Sequence, residues 1–226
     1  MLPSKNYLQK LEMHQIIELA EFIVHENYNH HSNEVLPENH KEDIDSIYYE
    51  ELNYYTNSEI FVSKDIIGTI NGAIRVLKWN FKDILPLQKI FGINPFLAVR
   101  KDRINNIFHI GRFAIKKNVG DINLFKKLMV CAIAPICEHE DNIAFAECDS
   151  KLLRVLRLLG IKAEVIGKSI NYLGSETIPV ALPYEGLIDF YNKNKSLVTI
   201  NTSNDASYSL PKSVVFNTLN TNYPLV

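Results

Sequence analysis

The chain has 226 residues, 46% of them hydrophobic, which suits one domain with a sizeable core. Its formal net charge of -2 gives no basic footprint for nucleic acid, and no apolar run approaches the ~18 residues of a membrane span. Three cysteines without a CxxC spacing argue against a disulfide framework, and the N-terminus has no apolar signal core. We therefore expect a cytoplasmic protein that neither binds nucleic acid nor spans a membrane.

Two helices are predicted near the N-terminus. From His14 to Val24 the apolar residues recur at three-to-four spacing, which is typical of an amphipathic helix. A second and weaker helical pattern runs through HKEDIDSIYYEELNYY, residues 40–55, where acidic residues and tyrosines share the faces.

A β-hairpin and a short helix or turn are predicted next. In EIFVSKDIIGTINGAIRVLKW, residues 59–79, two runs rich in β-branched residues flank the polar SKD, as antiparallel strands joined by a short turn do. Pro86 near the start of DILPLQKIFG, residues 83–92, suits a first helical turn.

The middle of the chain predicts a β-loop-α-β-α unit. Its strand IFHIGRFAI (107–115) is followed by the loop KKNVGD, the helix INLFKKLMVCAIAPICEHE, the strand NIAFAEC and the helix DSKLLRVLRLLG. Asp149 or Ser150 is suited to cap the second helix, and Gly160 is suited to end it.

Two extended runs, IKAEVIGKSINYL and TIPVALPY, close the domain with GSE predicted as their turn, and a last helix is predicted at YEGLIDFYNKN. After Lys195 the composition shifts to Ser, Thr and Asn, which buries little surface. The sequence therefore predicts a domain over residues 1–195 and a polar C-terminal appendage over residues 196–226.

Four segments, in their order and spacing, carry a resemblance to a known fold: FIVHENY (22–28), IIGTINGAIRVL (66–77), HIGRFAI (109–115) and LLGIKAEVIGKSINYLGSETIPVAL (158–182). Across roughly residues 14–190 the chain resembles the GNAT-fold acyltransferases, above all acyl-homoserine-lactone synthases and long-chain N-acyl amino acid synthases. The resemblance implies an α/β (α+β) protein with a GNAT-like mixed, mainly antiparallel central sheet flanked by helices.

The resemblance also implies an activity. It implies transfer of a fatty acyl group from an acyl-carrier-protein or coenzyme A thioester to a small amine, with the donor along the HIGRFAI strand and no tightly bound cofactor. His109 stands where the lactone synthases have a carboxylate, and His25 stands where they have an arginine. The chemistry of acyl transfer is therefore implied, and the homoserine lactone product is not.

The HIGRFAI strand supplies the predicted catalytic residues. Amide formation needs a neutral amine, so His109, the only histidine on a predicted core strand, is a candidate base as well as a candidate structural residue. Strand alternation predicts that His109, Gly111 and Phe113 face one way. It places Arg112 on the opposite face, to be paired with Glu147 or to bind substrate, and backbone N–H groups near Gly111 and Arg112 are candidates for binding an oxyanion.

The loop after that strand is the predicted phosphate site. Backbone N–H groups at a helix start bind phosphate, Lys116 and Lys117 add charge, and Asn118 and Gly120 complete the turn. The segment matches the GNAT coenzyme A loop only in part, because Ile122 occupies its second small position. This favours a single phosphate on a carrier arm, and a solvated loop is the alternative.

The remaining candidates are weaker. Arg75 matches an arginine of the related synthases and is predicted either to pair with a carboxylate of the second helix, such as Asp43 or Asp45, and shape the amine-binding site, or to lie at the surface or on an edge strand. Cys148 has acidic neighbours that raise a thiol pKa, so we expect a core residue rather than a nucleophile. No metal-ligand spacing, G-x-S-x-G or G-x-G-x-x-G occurs.

Two other functions fit the sequence beside N-acyl transfer. The absence of the lactone synthases' carboxylate favours a non-catalytic GNAT-like module that binds an acyl carrier or a ligand. An ordinary N-acetyltransferase that uses acetyl coenzyme A is the third.

Overall fold

A ten-stranded mixed sheet forms the centre of the computed structural model, which describes residues 7–31, 38–99, 103–172, 175–200 and 213–215. The strands are β1 Tyr7–Lys10, β2 Ser58–Lys64, β3 Ile70–Lys78, β4 Ile107–Ile115, β5 Ile143–Asp149, β6 Glu164–Val165, β7 Ile170–Tyr172, β8 Ser175–Pro183, β9 Thr199–Ile200 and β10 Ser213–Val215. Their order is β6-β8-β5-β4-β3-β2-β1-β10-β9, with β7 also paired to β8. The β4–β5 pair is parallel, and the other pairs of described strands are antiparallel.

The helices are α1 Ile16–His31, α2 His40–Tyr54, α3 Pro86–Phe91, α4 Pro95–Ala98, α5 Ile122–Ile133, α6 Ser150–Leu158 and α7 Tyr184–Asn194. Asp149 caps α6 through a bond that its carboxylate accepts from the N–H of Leu152. Helix α5 ends earlier than predicted, because Pro135 has no N–H to continue it. No helix in the described ranges is long and apolar enough to cross a bilayer.

The helices cover both faces of the sheet. Helix α5 packs its buried face, which includes Leu128, on the apolar side chains of β3 and β4, such as Ile74 and Ile110. On the opposite face, Ile16 and Leu19 of α1 pack against β2 and β3, and α2 packs on α1. The predicted α/β class with a mainly antiparallel sheet flanked by helices is therefore confirmed.

The C-terminal third differs from its prediction in detail. Ser175 and Glu176, predicted as part of a turn, belong to β8 and pair with Tyr172 and Asn171, so the turn itself falls on residues outside the described part. Within the segment predicted as an appendage, β9 and β10 extend the sheet next to β1. The division at residue 195 remains a prediction.

Two features of β4 shape the space around it. Its parallel ladder with β5 ends at the pair Ile110 and Ala146, beyond which β5 continues to pair only with β8. On the other side, Ala73 and Arg75 of β3 pair with Ala114 and Gly111, so β4 carries one extra residue, a β-bulge. Arg112 within the bulge has a φ of 54°, the left-handed region that non-glycine residues rarely adopt.

Candidate functional site

A cavity of about 480 Å³ opens where β4 and β5 separate. Side chains of β4, β5, α1, α2, α5 and α6 line it, and His109, Arg112 and Glu147 are among them. A wedge between neighbouring strands is therefore present beside β4 from Gly111 onward.

The β-bulge corrects the predicted faces of the strand. His109 and Arg112 both lie on the α2 side of the sheet, whereas Phe113 packs on Phe125 of α5 at 4.9 Å between ring centroids. Strict alternation places Arg112 opposite His109 and Phe113 beside it, and this prediction is wrong because the extra residue restarts the alternation.

A buried ion pair links α2 to β3. Glu51, 0% exposed, accepts a bond from Nη1 of Arg75, 1% exposed, at 2.6 Å. The ring of Tyr54 lies under the same guanidinium, 5.2 Å from its carbon to the ring centroid. Arg75 is therefore paired with a carboxylate of the second helix, as one of its two predicted alternatives has it.

The bonds of His109 define the tautomer of its ring. Arg75 Nη2 lies 2.9 Å from His109 Nδ1, and an arginine can only donate, so Nδ1 is the acceptor and carries no proton. The proton of the neutral ring is then on Nε2, which donates to Oε2 of Glu147 at 2.8 Å. His109 is 1% exposed, so both of its nitrogens are engaged by protein side chains inside the fold.

Glu147 has a free oxygen beside the cavity. Oε2 is bonded to His109, whereas Oε1 is buried and has no hydrogen-bond partner among the described residues. Burial of a carboxylate oxygen without a partner is costly, and such groups are found at sites that receive a ligand or a proton. Glu147 therefore lines the cavity and carries an acceptor oxygen without a partner among the described residues, whereas both nitrogens of His109 are bonded.

Arg112 is held by α2 and not by Glu147. Its Nε donates to Oε1 of Glu51 at 2.7 Å and its Nη2 to Oε1 of Glu50 at 2.6 Å, so the predicted pair with Glu147 is wrong. Burial opposes the charge of Arg112, but Glu51 and Glu50 outweigh it and raise the pKa above its ordinary value. Lys89 extends the cluster through an ion pair with Glu50 at 3.3 Å.

Gly111 makes room for this cluster. A Cβ at this position would lie 2.9 Å from Nη2 of Arg75 and 3.1 Å from Cε1 of His109. The space beside this glycine is therefore filled by the guanidinium of Arg75 and the imidazole of His109.

The wall of the cavity toward α5 and α6 is apolar. Phe113, Phe125, Met129, Leu152, Val155 and Leu156 line it. Cys148 also lies here, and burial, followed by the charges of Asp149 and Glu147, raises the pKa of its thiol to about 12. A thiol at that pKa is not an activated nucleophile at neutral pH, in line with the predicted core role.

The predicted phosphate loop lies beyond the cavity lining, which ends on this strand at Ile115. Asn118 and Gly120 are exposed, and Lys116 donates its backbone N–H to the carbonyl of Asn71. The N–H of Lys117 is taken by a protein carboxylate, Oε2 of Glu26, at 2.8 Å.

Sequence reasoning missed the two glutamates that organise these groups, and a signal for each was present. On α2, Glu51 follows Ile47 by four residues and precedes Tyr54 by three, so it occupies a buried position of that helix. On α1, Glu26 follows Leu19 by seven residues and is likewise buried. A carboxylate at an apolar position is expected to have a cationic or N–H partner.

Comparison with known proteins identifies the fold but not a sequence family. No family model and no curated protein sequence matches the chain. Among solved structures, FeeM, an N-acyl amino acid synthase from uncultured soil microbes, has 15% identity and a TM-score of 0.58 over 85% of this chain and 98% of its own. The AHL synthase LasI has 11% identity and a TM-score of 0.52, covering 84% and 96%.

A GNAT-family acetyltransferase from Staphylococcus aureus Mu50 is similar in the same way, with 14% identity and a TM-score of 0.51 over 79% of this chain and 99% of its own. At these identities the likeness concerns the fold. The protein thus has the GNAT fold that the order of its sequence segments resembles.

Proposed function

We propose that the protein is an N-acyltransferase that moves a fatty acyl group from a carrier thioester to the amine of an amino acid or a related small metabolite. The observation that carries the proposal is the unpartnered Oε1 of Glu147, buried at a cavity where β4 and β5 separate in a GNAT fold. An acyl acceptor must lose a proton, and this oxygen is free to take it.

The proposed reaction forms one amide bond and breaks one carbon–sulfur bond. The neutral amine attacks the thioester carbonyl, and its nitrogen gives one proton to Glu147 as the tetrahedral intermediate forms. The intermediate then expels the thiolate of the donor arm, which takes the proton back from Glu147. The products are the amide and the free thiol, and Glu147 returns to its carboxylate form.

His109 acts through Glu147 in this proposal. Its Nε2–H bond fixes Oε2 of Glu147, and Arg75 fixes the tautomer by donating to Nδ1. A base that a second group already holds in one rotamer loses little conformational entropy when the substrate binds. We therefore propose His109 as a positioning residue. The role of base, for which His109 is the candidate from sequence, is assigned in this proposal to Glu147.

The bulge supplies the backbone part of the proposal. From Gly111 onward β4 has no ladder with β5, and Glu50 and Glu51 hold Arg112 in its left-handed conformation. We propose that backbone N–H groups at Gly111 and Arg112 bind the oxyanion of the intermediate, a role that needs donors fixed in advance.

The apolar wall and α6 support a fatty acyl donor on a carrier protein. The wall formed by α5 and α6 matches an alkyl chain in polarity. On the outside of α6, Lys151, Arg154 and Arg157 are exposed, and the chain holds no carboxylate between Asp149 and Glu164. Because Lys151 also lines the cavity, an acidic carrier docked on α6 would have a short path for its thioester arm.

Mass spectrometry of amide products tests the proposal. Purified protein is incubated with mixed amino acids and with either palmitoyl-carrier protein or acetyl coenzyme A. Glu147→Gln keeps an oxygen for His109 and removes the base, so we expect about a 10²- to 10⁴-fold loss of turnover. Glu164→Gln on exposed β6 is the matched control and is expected to retain full activity.

The other outcomes identify the rivals. Carrier binding without an amide from any donor would indicate a non-catalytic module, and product from acetyl coenzyme A alone would indicate an acetyltransferase. Equal rates for Glu147→Gln and the control would remove Glu147 from the mechanism.

Two substitutions of His109 separate positioning from base catalysis. The amide of His109→Gln can accept from Arg75 and donate to Glu147, whereas His109→Leu can do neither. We expect the glutamine variant to regain a large part of the activity that the leucine variant loses. If both are equally inactive while both remain folded, the imidazole itself is the base.

A further inference from the structure

The turn between β4 and α5 already holds an anion that belongs to the protein. Oε2 of Glu26 on α1 accepts the backbone N–H of Lys117 at 2.8 Å. Its Oε1 accepts from Nδ2 of Asn29 at 3.3 Å, and Nε2 of His30 lies 3.8 Å from Oε2. Glu26 thus binds the loop through the kind of N–H group that would otherwise be open to a phosphate oxygen.

Helix α1 fixes this carboxylate in place. The side chain of Glu26 is 7% exposed, and Nζ of Lys117 donates to the carbonyl of Asn29 at 2.8 Å. Nε2 of His30 also lies 3.1 Å from the carbonyl oxygen of Ile115, where β4 ends. Two contacts thus tie one turn of α1 to the loop and a third ties it to the end of β4, so the carboxylate is held in place against displacement by a ligand.

A second carboxylate sits at the start of α5. Oδ1 of Asp121 accepts the N–H of Asn123 at 2.8 Å and caps the helix. A phosphate near this turn would therefore meet the charges of Glu26 and Asp121 as well as those of Lys116 and Lys117. Each added phosphate charge meets repulsion of the same order as its attraction, since charges a few ångströms apart interact by about 4 kcal/mol at an effective dielectric of 20.

We propose that Glu26 is a donor-selecting residue: it occupies the N–H site of the loop as an internal anion and so disfavours donors that present a pyrophosphate there. The inference rests on the proposed function, because it concerns how a thioester donor is chosen. The inference goes beyond the proposed function by assigning the choice of thioester donor to one residue on α1. Donors of the coenzyme A type are disfavoured, and donors that bring only a pantetheine arm to the cavity are not.

Calorimetric binding of coenzyme A and of pantetheine tests the inference without any need for turnover. In the native protein we expect the two ligands to bind with similar dissociation constants, because the phosphates of coenzyme A gain nothing at the loop. Glu26→Gln keeps an oxygen for the N–H of Lys117 and removes the charge. We expect it to tighten coenzyme A about tenfold, or about 1.4 kcal/mol, and to leave pantetheine unchanged.

Glu21→Gln is the matched control, since Glu21 is exposed on the same helix and loses the same charge. The inference is overturned if the native protein binds coenzyme A far more tightly than pantetheine, a result that needs no variant. It is also overturned if the Glu26 and Glu21 variants behave alike. If pantetheine binds none of the three proteins, the proposed thioester chemistry is contradicted, and so is the inference that rests on it.

Discussion

The two faces of the sheet around β3 and β4 differ in chemical character, since one is charged and hydrogen-bonded and the other is apolar. Toward α2 the strands present Arg75, His109 and Arg112. Arg75 and His109 are bonded to each other at 2.9 Å, and each of the three side chains is bonded to a glutamate at 2.6 to 2.8 Å. Toward α5 the same strands present Ile74 and Ile110, which pack among the buried apolar side chains of the core cluster. The difference separates a face that has one permitted arrangement from a face that tolerates many.

The physical reason lies in how each face responds to change. A buried charge needs its partner at one distance and angle, and removal of that partner leaves an uncompensated ion. Apolar packing is not directional, so a side chain that moves by a fraction of an ångström keeps most of its stabilisation. The candidate base is attached to the first face, and the candidate acyl pocket borders the second.

The largest expected effect comes from removal of the shared carboxylate on the charged face. Glu51→Gln leaves the buried Arg75 and the partly buried Arg112 without their common anion, so we expect the free energy of unfolding to fall by about 3–5 kcal/mol. Urea denaturation measures it. Asp45→Asn, exposed on the same helix, is the control and should change stability by no more than about 0.5 kcal/mol. A loss for Glu51→Gln as small as that of the control would show that the network contributes nothing.

A smaller effect compares one glycine on each face. In Gly111→Ala the new methyl lies 2.9 Å from the bonded guanidinium of Arg75, which cannot retreat, so we expect a destabilisation of about 1–3 kcal/mol. In Gly72→Ala the methyl lies 3.0 Å from Cδ1 of Leu128, the flexible end of a side chain, and we expect a smaller loss. Thermal unfolding of both variants measures the order. A larger loss at Gly72 would reverse the contrast between the faces.

The smallest effect concerns acid. Burial raises the pKa of Glu50, but Arg112, Arg75 and Lys89 outweigh burial and lower it below its ordinary value of 4.5. A lowered pKa in the fold means that Glu50 contributes stability above pH 4.5, which is lost as the pH falls through the lowered value. The free energy of unfolding, measured between pH 7 and pH 3, should therefore fall less steeply for Glu50→Gln than for the native protein. Parallel curves would contradict the coupling.

Most of the elements were predictable because their signals are local. The strand at residues 107–115 and the helix at residues 184–194 have the bounds that the sequence predicts, and Asp149 caps α6 as expected. Each depends on a period, a cap or a proline that one short segment contains.

The site was less predictable because it depends on one irregular residue and on distant partners. A glycine inside a strand is compatible with regular alternation as well as with a bulge, and only the strand register shows the bulge that changes the face of Arg112. Glu51 lies 61 residues from Arg112 in sequence, so no local pattern pairs them. His109 and Glu147 were both named, but their joint bond needed the parallel register of β4 and β5.

The ends of the sheet have a consequence for how this molecule meets other chains. Along the path of described strands, the outermost members are β6 and β9, each of two residues. Such a short strand has few free backbone N–H and C=O groups with which a neighbouring polypeptide could pair. Among the described strands, the two ends of the sheet therefore present little backbone for edge-to-edge pairing with another chain.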